Sequence, residues 1–273
     1  MTAFAEALRC PLCREPLQTT PPTWRCGSGH SFDVAREGYV NLLPVQHKKS
    51  LSPGDSADSV SARRRFLAAG HYQPLREAVV ASLAEAAPRR LLDLGCGEGY
   101  YTQALRRVVP EVIGLDIAKP AIRLAARQQP DVTWLVASAA QLPMADASCD
   151  AVTSLFSPLP ADEIARVLRD DGLLRVVTPA PEHLWAFREA LFGEVRPHVP
   201  EKFLATFVAD FRLEGEQRLR YPLRLGQSDL QDLMAMTPYA WKARPPSRAA
   251  LAACEGLETE AAFTLLSFRR NPR

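Results

Sequence analysis

The chain contains no apolar run approaching the about 20 residues that a helical bilayer span requires, so no transmembrane helix is expected. Its N-terminal stretch TAFAEALRC lacks the basic start and apolar core of a secretory signal. A cytoplasmic setting is therefore expected, in which thiols stay reduced and close cysteine pairs suggest metal rather than disulfide. The six cysteines are read on that basis. Net charge is also scarce: 33 Lys and Arg stand against 31 Asp and Glu. Bulk charge thus does not by itself mark a nucleic-acid binder. What charge there is lies unevenly. Residues 1–78 and 183–273 are slightly basic, and residues 79–182 are slightly acidic, with 13 acids against 10 bases. No internal repeats are visible. The 47% apolar and 23% charged composition is that of a globular protein, and 273 residues suffice for one large domain and a small one.

The most informative stretch is Arg90 to Thr102, RLLDLGCGEGYYT. Leu91 and Leu92 read as a short strand, Gly95, Gly97 and Gly99 as a turn, and Tyr100 onward as a helix. This is the first half of a βαβ unit, with a turn that lets a nucleotide-like ligand approach the backbone. A dinucleotide fingerprint counted from Gly95 would need glycine at position 100, where Tyr100 stands. The run is instead D-x-G-x-G-x-G, with Asp93 two residues before the first glycine. A carboxylate there repels a pyrophosphate and suits a cationic ligand with an amino-acid end. The pattern resembles the S-adenosylmethionine site of class I methyltransferases. A tight turn in an ordinary α/β domain is the bland alternative.

Alternating strands and helices continue beyond the turn and predict a mostly parallel sheet covered on both faces. Asp116 ends the second strand, 17 residues after Gly99, where an acid can accept from both ribose hydroxyls. Ser138 and Ala139 follow the third strand, where class I methyltransferases contact adenine; the class often has an acid at Ser138's place. The strand read at 262–268 would complete a seven-stranded sheet. His183 opens a helix at the carboxyl-end side of that sheet, where ligands bind. Between the last elements, Thr237 to Arg244 interleaves aromatics with bases, which fits either base stacking or core packing.

Upstream, Cys10, Cys13, Cys26 and His30 form C-x2-C-x12-C-x3-H, a structural zinc spacing. Four protein ligands close a tetrahedron and leave no open position for catalysis. So short a segment builds little core, and the ion would take its place. Trp24, Phe32 and Tyr39 are expected to pack around it. Residues 46–65, QHKKSLSPGDSADSVSARRR, have the composition of a mobile loop. Lys48, Lys49, Arg63, Arg64 and Arg65 bracket it with charge that suits RNA phosphates or plain solvent. Residues 66–84 read as one helix that could bring Tyr72 to the cofactor mouth. The expected organisation is a zinc-binding domain (1–45), a basic loop (46–65) and a class I methyltransferase domain (66–273).

CPLC and CGSGH, FDVAREGYVNLLPVQHKK, PGDS, ARRRFLAAGHYQPLR, DLGCGEGYYT, TPAPEHL and MTPYAWKARP occur in one order over nearly the whole chain. Together they resemble the RlmA family, the 23S ribosomal RNA (guanine-N1)-methyltransferases. The resemblance implies methyl transfer from S-adenosylmethionine to N1 of a guanine in a 23S rRNA hairpin loop, a structural zinc, and a homodimer. It implies that Cys10, Cys13, Cys26 and His30 hold zinc and that Tyr72, Gly97, Glu98 and His183 contact the cofactor. HYQPL and GEGYYT resemble the branch acting at nucleotide 745, with 748 as the alternative. Guanine N1 carries a proton at neutral pH, so a base within hydrogen-bond reach is expected. Asp162, Glu163, His183 and the carbonyls around Phe156 and Pro158 are candidates, and none is preferred. A small-molecule methyltransferase and a non-catalytic RNA-binding assembly factor are the rival readings.

Overall fold

The computed structural model describes residues 4–47, 53–198 and 204–272, so Lys48 and Lys49 lie outside the described residues. The N-terminal module contains β1 (Leu17–Gln18), β2 (Thr23–Cys26) and β3 (Ser31–Asp33), antiparallel in that order, and ends in β4 (Val40–Asn41). It has no core of its own. Leu8, Trp24 and Cys26 share one buried cluster with Ile113, Leu115 and Met144 of the large domain. The Arg9 amide donates to the Pro143 carbonyl at 2.9 Å, and the Ala145 amide to that of Ala7 at 2.7 Å. The Arg14 guanidinium donates to the carbonyls of Leu142 (2.7 Å) and Met144 (3.1 Å). Of the three aromatics expected around the metal, Trp24 and Phe32 belong to this cluster, whereas Tyr39 packs with Phe66 and Leu67 on the other side of the sheet.

Composition predicts a loop through Arg65, but residues 57–65 are helical. They begin α1 (Ala57–Ala68), whose N-terminus is capped by Ser56, its Oγ accepting from the Ser59 amide at 3.2 Å. Val60, Ala62, Phe66 and Leu67 form its buried face, which offsets the polar remainder. The chain turns after Ala69 and starts α2 (Gln73–Ala84), so the single helix expected over 66–84 is divided.

The large domain then alternates β5 (Arg90–Leu94), α3 (Tyr100–Leu105), β6 (Glu111–Asp116), α4 (Lys119–Gln128), β7 (Thr133–Val136), β8 (Cys149–Leu155), α5 (Ala161–Val167) and β9 (Leu168–Pro179). These central strands are almost continuously buried, as parallel strands covered on both faces must be. Next come α6 (Trp185–Phe192), α7 (Leu204–Phe207), β10 (Phe211–Gly226), α8 (Gln227–Met236), α9 (Tyr239–Lys242), α10 (Pro245–Ala253) and β11 (Gly256–Arg270). The sheet order is β10-β11-β9-β8-β5-β6-β7-β4, with β10–β11 and β11–β9 antiparallel and the other neighbours parallel. The seven expected strands are present. An eighth, β4, is added in parallel to the β7 edge by the chain leaving the module. Chain order reverses between β5 and β8, which opens a crevice at their carboxyl ends.

Candidate active site and metal centre

A cavity of about 490 Å³ fills that crevice. Asp93, Gly95, Gly97, Glu98, Asp116, Ser138 and Ala139, all expected at the cofactor, line it. Gly95 and Gly99 have positive φ, 72° and 86°. A Cβ on Gly95 would lie 2.3 Å from that of Ser157, and one on Gly99 2.8 Å from the Trp134 ring. Glycine is therefore required twice, by the backbone conformation and by the neighbour pressed against it. Gly99 is not itself a lining residue; it seats the start of α3 against Trp134.

The acids are held rigidly. Asp93 Oδ2 accepts from Thr102 Oγ1 at 2.5 Å and Oδ1 from Thr153 Oγ1 at 2.7 Å. Asp116 accepts from the amides of Gly97 (2.9 Å) and Ala118 (2.7 Å), which ties the second strand end to the glycine turn. Burial pushes the Asp93 carboxyl up from 3.8 to about 6, and the nearby Asp116 charge adds to this while the two threonine bonds oppose it. Burial also raises Glu98 and Asp116, and Arg63 opposes it in both. Three buried carboxyls thus face one cavity with a single guanidinium among its lining cations. That donor set fits a ligand bringing its own positive charge and hydroxyls, as S-adenosylmethionine does. Sequence reasoning missed Gly54 and Asp55, which line the same cavity, and the two threonines that anchor Asp93. The PGDS turn was a signal for the first pair.

Several expected residues stand elsewhere. Tyr72 and His183 do not line the cavity; they are buried against Phe263, with ring centroids 4.9 and 4.6 Å away. Phe263 in turn packs on Phe156 at the rim, at 5.5 Å. His183 Nδ1 accepts the Ala262 amide at 3.1 Å, which leaves the ring proton on Nε2, 3.4 Å from the Tyr72 hydroxyl. Burial lowers this imidazole to about 3, so it is neutral at physiological pH. Glu163 is engaged by Arg166 and the Leu142 amide and lies off the cavity, as does the exposed Asp162. Only the Phe156–Pro158 loop, among the candidate bases, reaches it. Phe156 holds a positive φ of 57° with its side chain 45% exposed. Ser157 fixes that loop by donating to the Leu94 carbonyl at 2.9 Å.

The basic cluster divides as well. Arg63 lines the cavity, paired with Asp55 at 2.6 Å, because α1 folds its face toward the glycine turn. Arg65 is bound to Asp232 of α8. Arg64 is exposed. A larger open groove of about 860 Å³ lies along β10 and β11, but its Arg220 and Arg224 are paired with Glu260 and Glu258, and it is far from the glycine turn in the sheet.

In the module, the ligand atoms of Cys10, Cys13, Cys26 and His30 all lie within 4.8 Å of one another. Cys13 Sγ is 3.6 Å from Cys26 Sγ, and His30 Nδ1 is 3.4 Å from Cys26 Sγ. Zinc–sulfur bonds of about 2.3 Å in a tetrahedron set sulfur atoms about 3.8 Å apart. The four side chains fit zinc, and as a closed protein set they suit a structural ion.

Fold, cavity and metal set together define a class I S-adenosylmethionine-dependent methyltransferase carrying an N-terminal zinc ribbon. Family profiles agree: one described as "RlmA, N-terminal" matches residues 8–51, and one described as "Methyltransferase domain" matches residues 92–176. The chain is 38% identical to the 23S rRNA (guanine(748)-N(1))-methyltransferase of Streptomyces fradiae, over 87% of each chain. It is 36% identical to a candidate 23S rRNA (guanine-N(1)-)-methyltransferase of Micromonospora griseorubida, over 96% of this chain and 97% of the relative. The chain belongs to the RlmA family of 23S rRNA (guanine-N1)-methyltransferases. Among solved structures, the YcgJ protein of Bacillus subtilis superposes with a TM-score of 0.50 at 19% identity, covering 72% of this chain and 99% of that one, a likeness of fold alone.

Proposed function

We propose that this protein methylates N1 of a guanine in a hairpin loop of 23S rRNA. The carrying observation is the similarity to two RlmA-type relatives that runs through zinc ribbon and methyltransferase domain alike. A small-molecule enzyme would need no zinc ribbon. A non-catalytic factor would have no need of the intact Asp93, glycine turn and Asp116 around an open cavity.

S-adenosylmethionine supplies an electrophilic methyl group on a positively charged sulfur. The chain's part is to hold it and to present the base. In this proposal Asp116 takes the ribose hydroxyls, Asp93 and Glu98 face the cationic amino-acid end, and Ser138 and Ala139 border the adenine. Tyr72 and His183 act from behind Phe263 rather than by direct contact. The target guanine must leave its stack to reach the cavity. The exposed ring of Phe156 at the rim offers it a face, and the carbonyls of Phe156 and Pro158 lie on the lining loop to accept a hydrogen bond from N1–H and orient it, the proton passing to solvent as the methyl group is transferred. Among the described residues no helix is long and apolar enough to cross a membrane, and a ribosomal RNA substrate sets the work in the cytoplasm. The homodimer implied by the family resemblance belongs to the proposal and is checked by sedimentation equilibrium.

Primer extension across 23S rRNA from cells with and without the gene tests the reading. An N1 methyl blocks the Watson–Crick edge, so a stop should vanish with the gene and return with it. Its position separates 745, to which HYQPL and GEGYYT point, from 748, the position named for the Streptomyces relative. Identical traces through an intact hairpin would overturn the substrate.

A further inference from the structure

The aromatic and basic stretch after α8 is unused by the cavity, and the structure separates its two rings. Tyr239 turns inward, its hydroxyl 2.7 Å from His198 Nε2 and its ring near Phe187. Two residues on, Trp241 points the other way and is 75% exposed. Ala240 and Ala243 are buried, so the orientation of this short segment is fixed by packing. Lys242, Arg244 and Arg248, which follow it closely in the chain, are exposed, and Arg244 and Arg248 lie one turn apart at the start of α10.

Some exposed arginines are neutralised, Arg65 by Asp232, Arg220 by Glu260 and Arg224 by Glu258, whereas Arg25, Arg36, Arg64 and Arg107 are exposed singly with no ion pair among the described residues and no exposed tryptophan next to them in sequence. Lys242, Arg244 and Arg248 have no ion-pair partner among the described residues. A single exposed apolar residue is ordinary, but an exposed tryptophan followed within seven residues by three exposed, uncompensated cations combines a stacking face with a polyanion's counter-charge. The place is also near the chemistry. Arg63, a cavity-lining residue, donates to the Met236 carbonyl at 3.3 Å, and Trp241 lies five residues further on, at most roughly 17 Å of chain.

Resting on the proposed RNA substrate, we infer that Trp241, Lys242, Arg244 and Arg248 form a docking surface for the single-stranded RNA that flanks the methylated guanine, the indole stacking on one base and the cations meeting phosphates. Stacking on an aromatic tolerates any base, so this surface supplies affinity and register, while the cavity selects the guanine.

The test uses the full-length protein and a synthetic transcript of the 23S hairpin. Trp241→Ala should weaken binding about tenfold or more, and Trp241→Phe should recover most of it. Replacing Lys242, Arg244 and Arg248 together by Gln should flatten the salt dependence of log affinity by about two, at roughly 0.7 per single-strand phosphate lost. Calorimetric binding of S-adenosylmethionine should stay at the wild-type value in all of them. If wild type binds and methylates the hairpin while Trp241→Ala matches it within twofold, the docking surface is wrong and the RNA reading stands. If Trp241→Ala instead breaks a dimer without changing RNA affinity, the patch is a protein contact and the inference falls. If wild type itself neither binds nor methylates the hairpin, both readings fall.

Discussion

Replacing Asp93 by asparagine should make the ligand-free protein more stable and a poorer methyl-donor binder. The carboxyl is fully buried beside a second acid, Asp116, and among the described residues it receives hydrogen bonds from Thr102 and Thr153 alone. Its rise from 3.8 to about 6 means that the folded state holds the proton more tightly than the unfolded state does. Stability from this group is therefore full below pH 3.8 and lost as pH rises through about 6. The loss is bounded by roughly 3 kcal/mol at neutral pH. Asparagine removes that loss but must turn its amide toward one threonine, so a net gain of about 1–2 kcal/mol is expected. Urea titrations from pH 4 to pH 8 should show the variant below wild type at the acid end by the roughly 1–2 kcal/mol of its poorer hydrogen bonding, the curves crossing as pH rises toward 6, and a constant gap above that with the variant on top. Glu98 and Asp116 are raised in the same direction, and because the Asp116 charge acts on Asp93, the difference between the curves reports Asp93 together with that coupling. Calorimetry should show S-adenosylmethionine binding weakened at least about tenfold, since the buried charge that opposes stability is the one offered to the cation. A variant less stable than wild type at pH 7.5, or one with undiminished affinity, would refute the reasoning.

Gly99→Ala combines a left-handed backbone with a Cβ 2.8 Å from Trp134, so denaturant unfolding should report a loss of roughly 2–4 kcal/mol. Removal of zinc with a chelator, or Cys26→Ser, should lower the melting temperature of the whole protein by roughly 5–10 °C in one transition, because the module and the sheet share a buried cluster. A separate low-temperature transition that left the remainder unchanged would contradict that shared core. Phe156→Ala should reduce kcat/KM for RNA about tenfold with cofactor affinity retained; an equal fall in cofactor affinity would assign the ring to the cofactor instead.

How much of this was legible in the sequence depended on how local the cause was. The glycine turn and the Cys10–His30 spacing are short-range steric and coordination demands, and a single run of residues displays them. The first half of α1 was hidden by its composition. Ser and Arg between residues 56 and 65 read as loop, although Ser56 as a cap and Val60, Ala62, Phe66 and Leu67 on one face carried a helical signal. A two-residue strand such as β4 has no periodicity to read, and its existence depends on the distant β7. Tyr72 and His183 lie at the correct end of the sheet, yet the packing of Phe263 between them and Phe156 depends on β11, nearly 80 residues later in the chain for His183.

The reassignment of Arg63 joins the two halves of the molecule. The module hands the chain to β4, which lies on β7, and β7 leads into Ser138 and Ala139 at the cavity wall. The chain then comes back across the cavity mouth through Gly54 and Asp55 to Arg63, where a Cβ on Gly54 would strike Ala118 at the start of α4. The same segment therefore connects the zinc ribbon to the lining of the methyl-donor cavity, and Arg63 carries it on to Met236 and the exposed Trp241. Two arginines of a basic run whose charge suits RNA phosphates or solvent alike act here through their neighbours. One guanidinium counterbalances Glu98 and Asp116, another locks α1 to α8, and the cations inferred to meet RNA lie beyond that helix, in α9 and at the start of α10.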